Sequence, residues 1–200
     1  MMLLKKIKDV WYRLILSPYY KTRLAGFGNN SRIIKPTAID GPKRIHIGNK
    51  VLISHYAWLA ANPLTGNNDC KLIIGDGTYI GRFSHIYATS KIEIGKKVLM
   101  ADKVYISDNL HGYKNIQLAV IDQPVVQANE VIIGDGAWLG ENVCIVGASV
   151  GKHSVIGANA VVTKNVPDYC IATGIPAKII KRYNFETKDW RSTDESGEFI

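Results

Sequence analysis

The chain of 200 residues contains five histidines, and one of them lies in a segment suited to proton transfer. His111 belongs to the run Asp-Asn-Leu-His-Gly-Tyr at residues 108–113. An imidazole can take a proton from a hydroxyl group near neutral pH, and a carboxylate on its other ring nitrogen would orient it. Three carboxylates are candidates for that orienting role, and the sequence does not choose among them: Asp102, Asp108 and Asp122.

The elements that must position His111 are indicated by a six-residue repeat. An aliphatic residue is followed by Gly, and a small residue or Val stands three positions after the Gly. The pattern recurs in register at residues 47–51, 74–78, 80–84, 94–98, 133–137, 139–143, 150–154 and 156–160. A fixed short period of this kind is typical of a solenoid.

This period fits neither a helix nor a plain alternating strand, but it fits a chain that makes a short strand and then turns a corner. Three such strands form one triangular coil, and successive coils stack as parallel strands. The aliphatic residue points inward, and the Gly lies near the corner, where the backbone needs either a positive φ or unusual room. The sequence therefore predicts an all-β solenoid with triangular coils.

The chain divides into three segments. Residues 1–28 are predicted to form a short N-terminal helical cap that Pro18 ends, residues 29–183 the solenoid, and residues 184–200 a polar, helical or irregular C-terminal tail. The longer intervals between repeats predict two inserted loops, at residues 62–69 and about 109–129. An alternative for the basic, amphipathic first helix is that it rests on the inner face of a membrane.

Composition narrows the class of protein. The chain is 46% hydrophobic, and no apolar run is long enough to span a membrane. Three scattered cysteines indicate neither a disulfide framework nor a metal motif, and with no signal peptide recognisable we expect a cytoplasmic protein. The net charge of +8 is spread along the chain without a known nucleic-acid-binding motif, so we expect an anionic cofactor or membrane rather than nucleic acid.

The repeats, the His111 segment and the ending Val162-Thr163-Lys164-Asn165-Val166-Pro167 with Gly174-Ile175-Pro176-Ala177-Lys178 resemble the hexapeptide-repeat acyltransferases. The chain looks most like the branch of maltose, galactoside and polysaccharide O-acetyltransferases. This resemblance implies a left-handed parallel β-helix, a homotrimer with active sites between subunits, and acetyl transfer from acetyl-CoA to a carbohydrate hydroxyl. It implies no metal in catalysis.

The resemblance also implies roles for individual residues. His111 matches the family's catalytic base, while Asp108, His85 and Tyr113 are candidates for contact with the acceptor. The simpler interpretation of His85 is a corner histidine facing solvent. The positions that match the family's coenzyme A contacts are Trp138, Glu141, Ala158, Thr163, Lys164, Lys178 and Lys181. Relatives often carry Arg at the last two positions, and Lys keeps the charge without the bidentate geometry.

Three alternatives remain open at the level of the sequence. The acceptor could be an amino sugar on a nucleotide, although such relatives often carry an additional N-terminal α/β domain. A γ-type carbonic anhydrase would need three histidines around Zn²⁺, and residues 112–127 contain no second histidine near His111. The third alternative is a non-catalytic scaffold or sugar-binding module.

Overall fold

The computed structural model describes residues 12–200, which form a three-sided parallel β-helix. Each of the first five coils contributes one short strand to each side, so three sheets, parallel except for the last two strands of face 2, enclose one core. Face 1 consists of β1 (Gly26–Phe27), β4 (Ile45–Ile47), β7 (Lys71–Ile74), β10 (Lys91–Ile94) and β15 (Val131–Ile133).

The other two sides follow the same order along the chain. Face 2 consists of β2 (Arg32–Ile33), β5 (Leu52–Ile53), β8 (Tyr79–Ile80), β11 (Leu99–Met100), β16 (Trp138–Leu139), β18 (Val155–Ile156), β20 (Cys170–Thr173), β21 (Lys178–Asn184) and β22 (Asp189–Ser192). Face 3 consists of β3 (Ala38–Asp40), β6 (Trp58–Ala61), β9 (His85–Ala88), β12 (Tyr105–Ser107), β17 (Cys144–Val146) and β19 (Val161–Val162). A separate hairpin pairs β13 (Asn109–His111) with β14 (Val125–Gln127).

Aliphatic side chains stack in columns along the interior, as the repeat predicts. On face 2 the inward residues pair in register from coil to coil and are completely buried: Ile33, Ile53, Ile80, Met100, Leu139 and Ile156. Each such side chain contributes about 1.5–3 kcal/mol of transfer free energy. The later small position of each repeat is buried as well, for example Thr78 and Ser154.

The repeat glycines are required because adjacent coils approach closely. A Cβ at position 75 would lie 2.6 Å from the carbonyl carbon of Gly95, and one at position 140 would lie 2.6 Å from the backbone nitrogen of Ala158. The positive φ at the corner falls two residues after the glycine instead, as at Lys50 and Lys97. Of the two explanations offered by the sequence, lack of room is therefore the correct one for Gly75 and Gly140.

The N-terminal cap differs from the prediction at Pro18. A π-helical turn at Tyr12–Leu16 leads into α1 (Ser17–Arg23), so Pro18 lies in the first turn of a helix rather than at its end. Proline is tolerated there because the first helical N–H groups have no intrahelical partner. The hydroxyl of Tyr12 accepts a 2.6 Å hydrogen bond from the backbone N–H of Ile33, and burial raises the pKa of that hydroxyl to about 12. Residues 1–11, which hold most of the predicted amphipathic face, lie outside the described residues.

The prediction of a helix in the C-terminal tail is wrong. β21 turns back antiparallel to β20, and β22 pairs with β21, so the chain ends in a hairpin that extends face 2. β21 also crosses the predicted boundary at residue 183. An aromatic cluster stabilises the hairpin, since the Tyr183 ring contacts Phe185 and Trp190 edge-on. The pairing partner, which the local sequence does not reveal, decides the strand conformation.

One corner is a residue shorter than the six-residue stride. Between Ile145 and Val150 the chain turns through Gly147, whose φ is 57°, and the Gly147 N–H donates to the carbonyl of Ser107 at 2.8 Å. The left-handed conformation lets the chain turn in fewer residues. This corner, between face 3 and face 1, is also where both inserted loops leave the solenoid.

Candidate active site

The hairpin β13–β14 carries His111 away from the end of face 3. β12 ends at Ser107, and three residues of β13 then pair antiparallel with β14, with His111 opposite Val125. The loop between the two strands, residues 112–124, projects beyond the solenoid. The side chain of His111 is exposed, so a rigid coil presents an accessible imidazole on a short strand.

Asp108 has a structural role that the sequence does not predict. Its side chain is completely buried, and its carboxylate accepts hydrogen bonds from the backbone N–H groups of Thr89, Ser90 and Lys91 at 2.7–2.8 Å. The Thr89 hydroxyl and the Asn109 amide donate to it as well, both at 3.0 Å. Both carboxylate oxygens are therefore occupied by hydrogen bonds to residues of the preceding corner and to Asn109. This geometry supports neither a contact of Asp108 with the acceptor nor a role for it in orienting His111.

We expect Asp108→Ala to destabilise the fold by about 3 kcal/mol, because it leaves three N–H groups, two buried and one part-buried, without an acceptor. Chemical denaturation monitored by circular dichroism measures this loss. Asp122→Ala is the matched control, since that carboxylate is exposed, and its effect should stay within about 0.5 kcal/mol. A variant of Asp108 with unchanged stability but lost activity would instead support a direct role beside His111.

A polar network joins the hairpin to the neighbouring loop. The Gln127 amide donates to the carbonyl of Asp108 at 2.6 Å, and its oxygen accepts from the hydroxyls of Thr65 and Thr89 at 2.6 and 3.1 Å. The Asn109 amide donates to the carbonyl of Tyr87 at 3.2 Å. Because both strands of the hairpin are tied to the solenoid, the position of His111 is fixed at the base of the loop.

His111 lies at the edge of a cleft of about 430 Å³ on the outer surface of face 3. Side chains from three successive coils form its floor, and the hairpin and the loop at residues 62–69 form its walls. The cleft is lined by Trp58, Leu64, His85, Tyr87, Tyr105, Asn109, Leu110, His111, Val125 and Val146. A concave, largely apolar surface with a few convergent polar groups is typical of a small-molecule site.

His85 lies inside this cleft, so its interpretation as a solvent-facing corner residue is wrong. Its ring stacks flat on Trp58, with centroids 4.2 Å apart and planes 4° apart, and the rings of Tyr87 and Tyr105 contact it edge-on. Burial lowers the pKa of His85, and its Nε2 atom is buried without a hydrogen-bond partner. The lowered pKa favours a neutral ring at neutral pH.

Sequence reasoning missed Trp58, Tyr87 and Tyr105. Parallel register places Trp58 beside His85 and His85 beside Tyr105 on the outer surface of face 3. Each follows the buried small position of its hexad, at Ala57, Ser84 and Val104. For Trp58 and Tyr105 the signal was therefore present in the repeat, and aligning the coils on that position would have found them.

The other candidates for acceptor contact or for orienting His111 lie outside the cleft or make no bond to His111. Tyr113 is 65% exposed in the loop and does not line the cleft. Neither Asp102 nor Asp122 bonds to His111: the Asp102 carboxylate accepts from the backbone of Arg82 at 2.7 Å. Among residues 12–200 no carboxylate is hydrogen-bonded to His111. The orienting group that the sequence leads one to expect is absent from this stretch of a single protomer.

The cofactor candidates are distributed over two faces. Trp138 and Lys181 lie on the outer surface of face 2, and Glu141 and Ala158 lie at the corner between faces 2 and 3. Thr163 and Lys164 are exposed after β19 of face 3. Lys178, on β21, forms an ion pair with Glu195, and Lys103 and Glu141 pair at 3.3 Å. A single protomer therefore does not bring Trp138 and His111 onto one surface.

An unusual column of apolar side chains runs along the outside of face 2. Successive strands place these residues in register, and Leu99 and Trp138 are 48% and 49% exposed. The apolar column consists of Leu52, Tyr79, Leu99, Trp138, Val155 and Ile171. A continuous apolar strip of this kind on the surface is typical of a protein–protein interface.

The loop at residues 112–124 adds a second exposed apolar surface. Ile116 and Ile121 are 89% and 87% exposed. The loop is nevertheless ordered by its own hydrogen bonds, since the Gln123 amide donates to the carbonyls of Asn115 and Leu118 at 2.9 and 3.1 Å. A short 3₁₀-helix, Val120–Asp122, completes it. A structured loop that exposes isoleucines fits an interface better than a solvent-exposed position.

Comparison with known proteins gives a match over the later coils. A family model described as the hexapeptide repeat of succinyl-transferase matches residues 130–164. Over these residues the chain therefore matches the hexapeptide-repeat pattern of that family. It is 36% identical over 126 residues to WbbJ of Escherichia coli K12, a protein named for lipopolysaccharide biosynthesis O-acetyl transfer, and 31% identical over 130 residues to the galactoside O-acetyltransferase of the same strain.

These matches are partial in length. Each covers 60% of this chain, and the chain spans 64% of WbbJ and 61% of the galactoside enzyme. The crystal structure of AntD, an N-acyltransferase from Bacillus cereus, is 20% identical with a TM-score of 0.70, covering 85% of this chain and 89% of AntD. This likeness concerns the fold, which is a left-handed parallel β-helix. The hexads predicted the solenoid with triangular coils, and the resemblance implied its left-handed sense.

Three further features of the described residues bear on function. Within residues 12–200, no three His, Cys, Asp or Glu side chains are grouped so that they could hold a metal ion. Over the same range, no helix has the length and apolar character needed to cross a bilayer. Cys70, Cys144 and Cys170 are unpaired, and burial raises the pKa of each thiol, to about 11 for Cys70.

Proposed function

We propose that this protein transfers an acetyl group from acetyl-CoA to a hydroxyl of a carbohydrate. The observation that carries the proposal is the position of His111 at the edge of the face 3 cleft, at the base of a tethered hairpin. The names of the relatives support the reaction class, since WbbJ and the galactoside enzyme are both named as O-acetyltransferases.

In this reaction the acceptor hydroxyl occupies the cleft beside His111. The imidazole takes the hydroxyl proton while the oxygen attacks the thioester carbonyl, and the C–S bond then breaks as the coenzyme thiol leaves with that proton. His111 returns to its neutral form, so the protein is unchanged at the end of the cycle. His111 is accessible and needs no rearrangement of the core to act.

The surface of face 2 provides a path for the cofactor. Trp138, Val155, Ile171 and Lys181 occupy consecutive strands in register, so Trp138 and Lys181 are separated by three strand spacings, about 14–15 Å. An extended pantetheine arm would lie along Val155 and Ile171. Trp138 would then be at the thioester end, and the ammonium group of Lys181 would be available to the phosphates.

The active site is complete only between two copies of the chain. Face 2 carries the cofactor path and the apolar column, while face 3 carries the cleft and His111. Packing face 2 of one copy against face 3 of the next would bury Leu99 and cover the exposed loop. Repeating this contact around a three-fold axis gives a closed homotrimer in which every face 2 meets a face 3.

We propose a cytoplasmic location at the inner surface of a membrane, and the first helical segment supports the membrane contact. Leu14, Ile15 and Tyr19 are 72%, 52% and 48% exposed, and Lys21 and Arg23 lie in the last turn of α1. Apolar side chains beside basic ones are typical of a helix that lies on an anionic bilayer. A membrane-linked glycan precursor would then be the natural acceptor.

The transfer assay is the direct test. The purified protein is incubated with acetyl-CoA and a panel of sugars, and the product is located by mass spectrometry before and after mild alkali. We expect an acetyl ester that alkali removes. An alkali-stable product would show amide formation on an amino sugar, the reaction class for which AntD is named, and would contradict O-acetylation.

A further inference from the structure

The lining of the cleft contains no formally charged residue. Its ten lining residues include no Asp, Glu, Lys or Arg. One of its two histidines is His85, and burial lowers the pKa of that ring, which favours its neutral form at neutral pH. The nearby carboxylate of Asp40 accepts a hydrogen bond from the indole N–H of Trp58 at 2.6 Å, so it is already bonded to a residue that lines the cleft. A charged ligand group would lose its hydration here without gaining a partner.

The aromatic side chains form a rigid apolar wall. Trp58 and His85 are stacked face to face, and Tyr87 stands perpendicular to both, at interplanar angles of 82° and 83°. Tyr105 contacts His85 at 5.3 Å and 65°. These mutual contacts fix the rings before any ligand binds, so the wall offers ring carbons and two tyrosine hydroxyls in a set geometry.

The surface proposed to close the cleft has the same character. The part of the apolar column outside the cofactor path presents only aliphatic and aromatic side chains, at Leu52, Tyr79 and Leu99. Closing the trimer would therefore bring no counter-charge opposite the middle of the cleft. The site as a whole is matched to a sugar with an uncharged, partly apolar surface.

We infer that the cleft selects an uncharged hexose, with a preference for one whose exocyclic carbon is a methyl group, as in a 6-deoxyhexose. The inference rests on the proposed function and gives the chemical class of its acceptor. A methyl group fits against ring carbons without loss of hydrogen bonds, whereas the carboxylate of a uronic acid would be desolvated beside them. The Tyr87 hydroxyl accepts a hydrogen bond from the Asn62 amide at 3.5 Å, and its proton can still be donated to a ring hydroxyl, as can that of Tyr105.

The test uses sugars that differ at one carbon only. Methyl galactoside, its 6-deoxy analogue and its uronate are compared for binding to the full-length protein by ligand-observed NMR, and the gluco series is measured alongside. In the series that binds, we expect the 6-deoxy sugar to bind at least as tightly as the parent. The uronate should bind at least about tenfold more weakly, the small end of the effect of an unpaired, desolvated charge.

A charge placed at the rim sharpens the test. Leu64 lines the cleft and is 55% exposed, so Leu64→Lys adds a cation without disturbing the core. We expect this variant to bring uronate binding to within about threefold of the parent sugar, a gain typical of a partly exposed charge pair. Ile132→Lys, at a 46% exposed position on face 1, is the matched control and should leave the order unchanged.

Each outcome bears on one of the two claims. A uronate that binds as well as the neutral sugars, or no binding by either series, would overturn the inferred preference. The expected order of binding without any acetyl transfer from acetyl-CoA would leave the preference intact and contradict the proposed reaction. Acetyl transfer that favours the uronate would support the proposed reaction and contradict the inferred preference.

Discussion

Replacing His111 with Ala should lower the rate of acetyl transfer by about 10²–10⁴-fold, because the acceptor hydroxyl loses the group that takes its proton. The side chain is exposed on a three-residue strand, so the substitution removes no buried contact and the fold should persist. Initial rates with acetyl-CoA and the best acceptor from the panel measure the effect. The binding of the acceptor itself should change little.

The matched control is His46→Ala. His46 is also exposed on a short strand, but it lies on face 1, away from the cleft. We expect it to retain full activity and the same unfolding temperature. Transfer that survives in His111→Ala would remove the general-base assignment and would direct attention to the other histidine of the cleft, His85.

Placing a carboxylate in the apolar column should separate the trimer. Leu99→Glu puts a charge at the centre of the column, where the partner copy offers no counter-charge, and burying it there would cost several kcal/mol. Light scattering should show monomers, and transfer should fall by at least about 100-fold because each site then lacks its second half. Circular dichroism should be unchanged, since the outer surface of face 2 does not contribute to the core.

Ile132→Glu controls for the addition of charge. Ile132 is as exposed as Leu99 but lies on face 1, so this variant should remain trimeric and active. A trimeric, active Leu99→Glu protein would contradict the proposed interface. The division of the site between copies can be tested by mixing His111→Ala with Trp138→Ala subunits. About a quarter of the wild-type activity should return, because in randomly assembled trimers about a quarter of the sites combine an intact His111 with an intact Trp138 from the next copy.

The sequence alone supports most of the fold. The hexads predict which residues point inward, and the structure buries them at Ile80, Ile94 and Leu139 as expected. The hexads are informative because every coil buries the same positions, so the same short pattern recurs many times along the chain. The β-hairpin at residues 178–192 escaped prediction because it has no repeat, and its strand conformation depends on pairing with β20.

The candidate site was predicted less completely, for a related reason. His111 is conspicuous because it lies where the repeat is interrupted. The role of Asp108 depends on backbone N–H groups at residues 89–91, which lie one coil away, and the cleft depends on the register of Trp58, His85 and Tyr105. Contacts between coils join residues about 20 positions apart in sequence, and local patterns carry little information about them.

The reversal of the chain at β21 also determines how the molecule can grow. A stack of parallel strands has no natural last member, because its final rung offers the same unpaired amides and carbonyls as every rung before it. Here the antiparallel return occupies that rung on face 2, and the Ala177 N–H caps the carbonyl of Val161 on face 3. Head-to-tail polymerisation into fibres is thereby blocked at this end, and association is directed sideways, where the number of copies is finite.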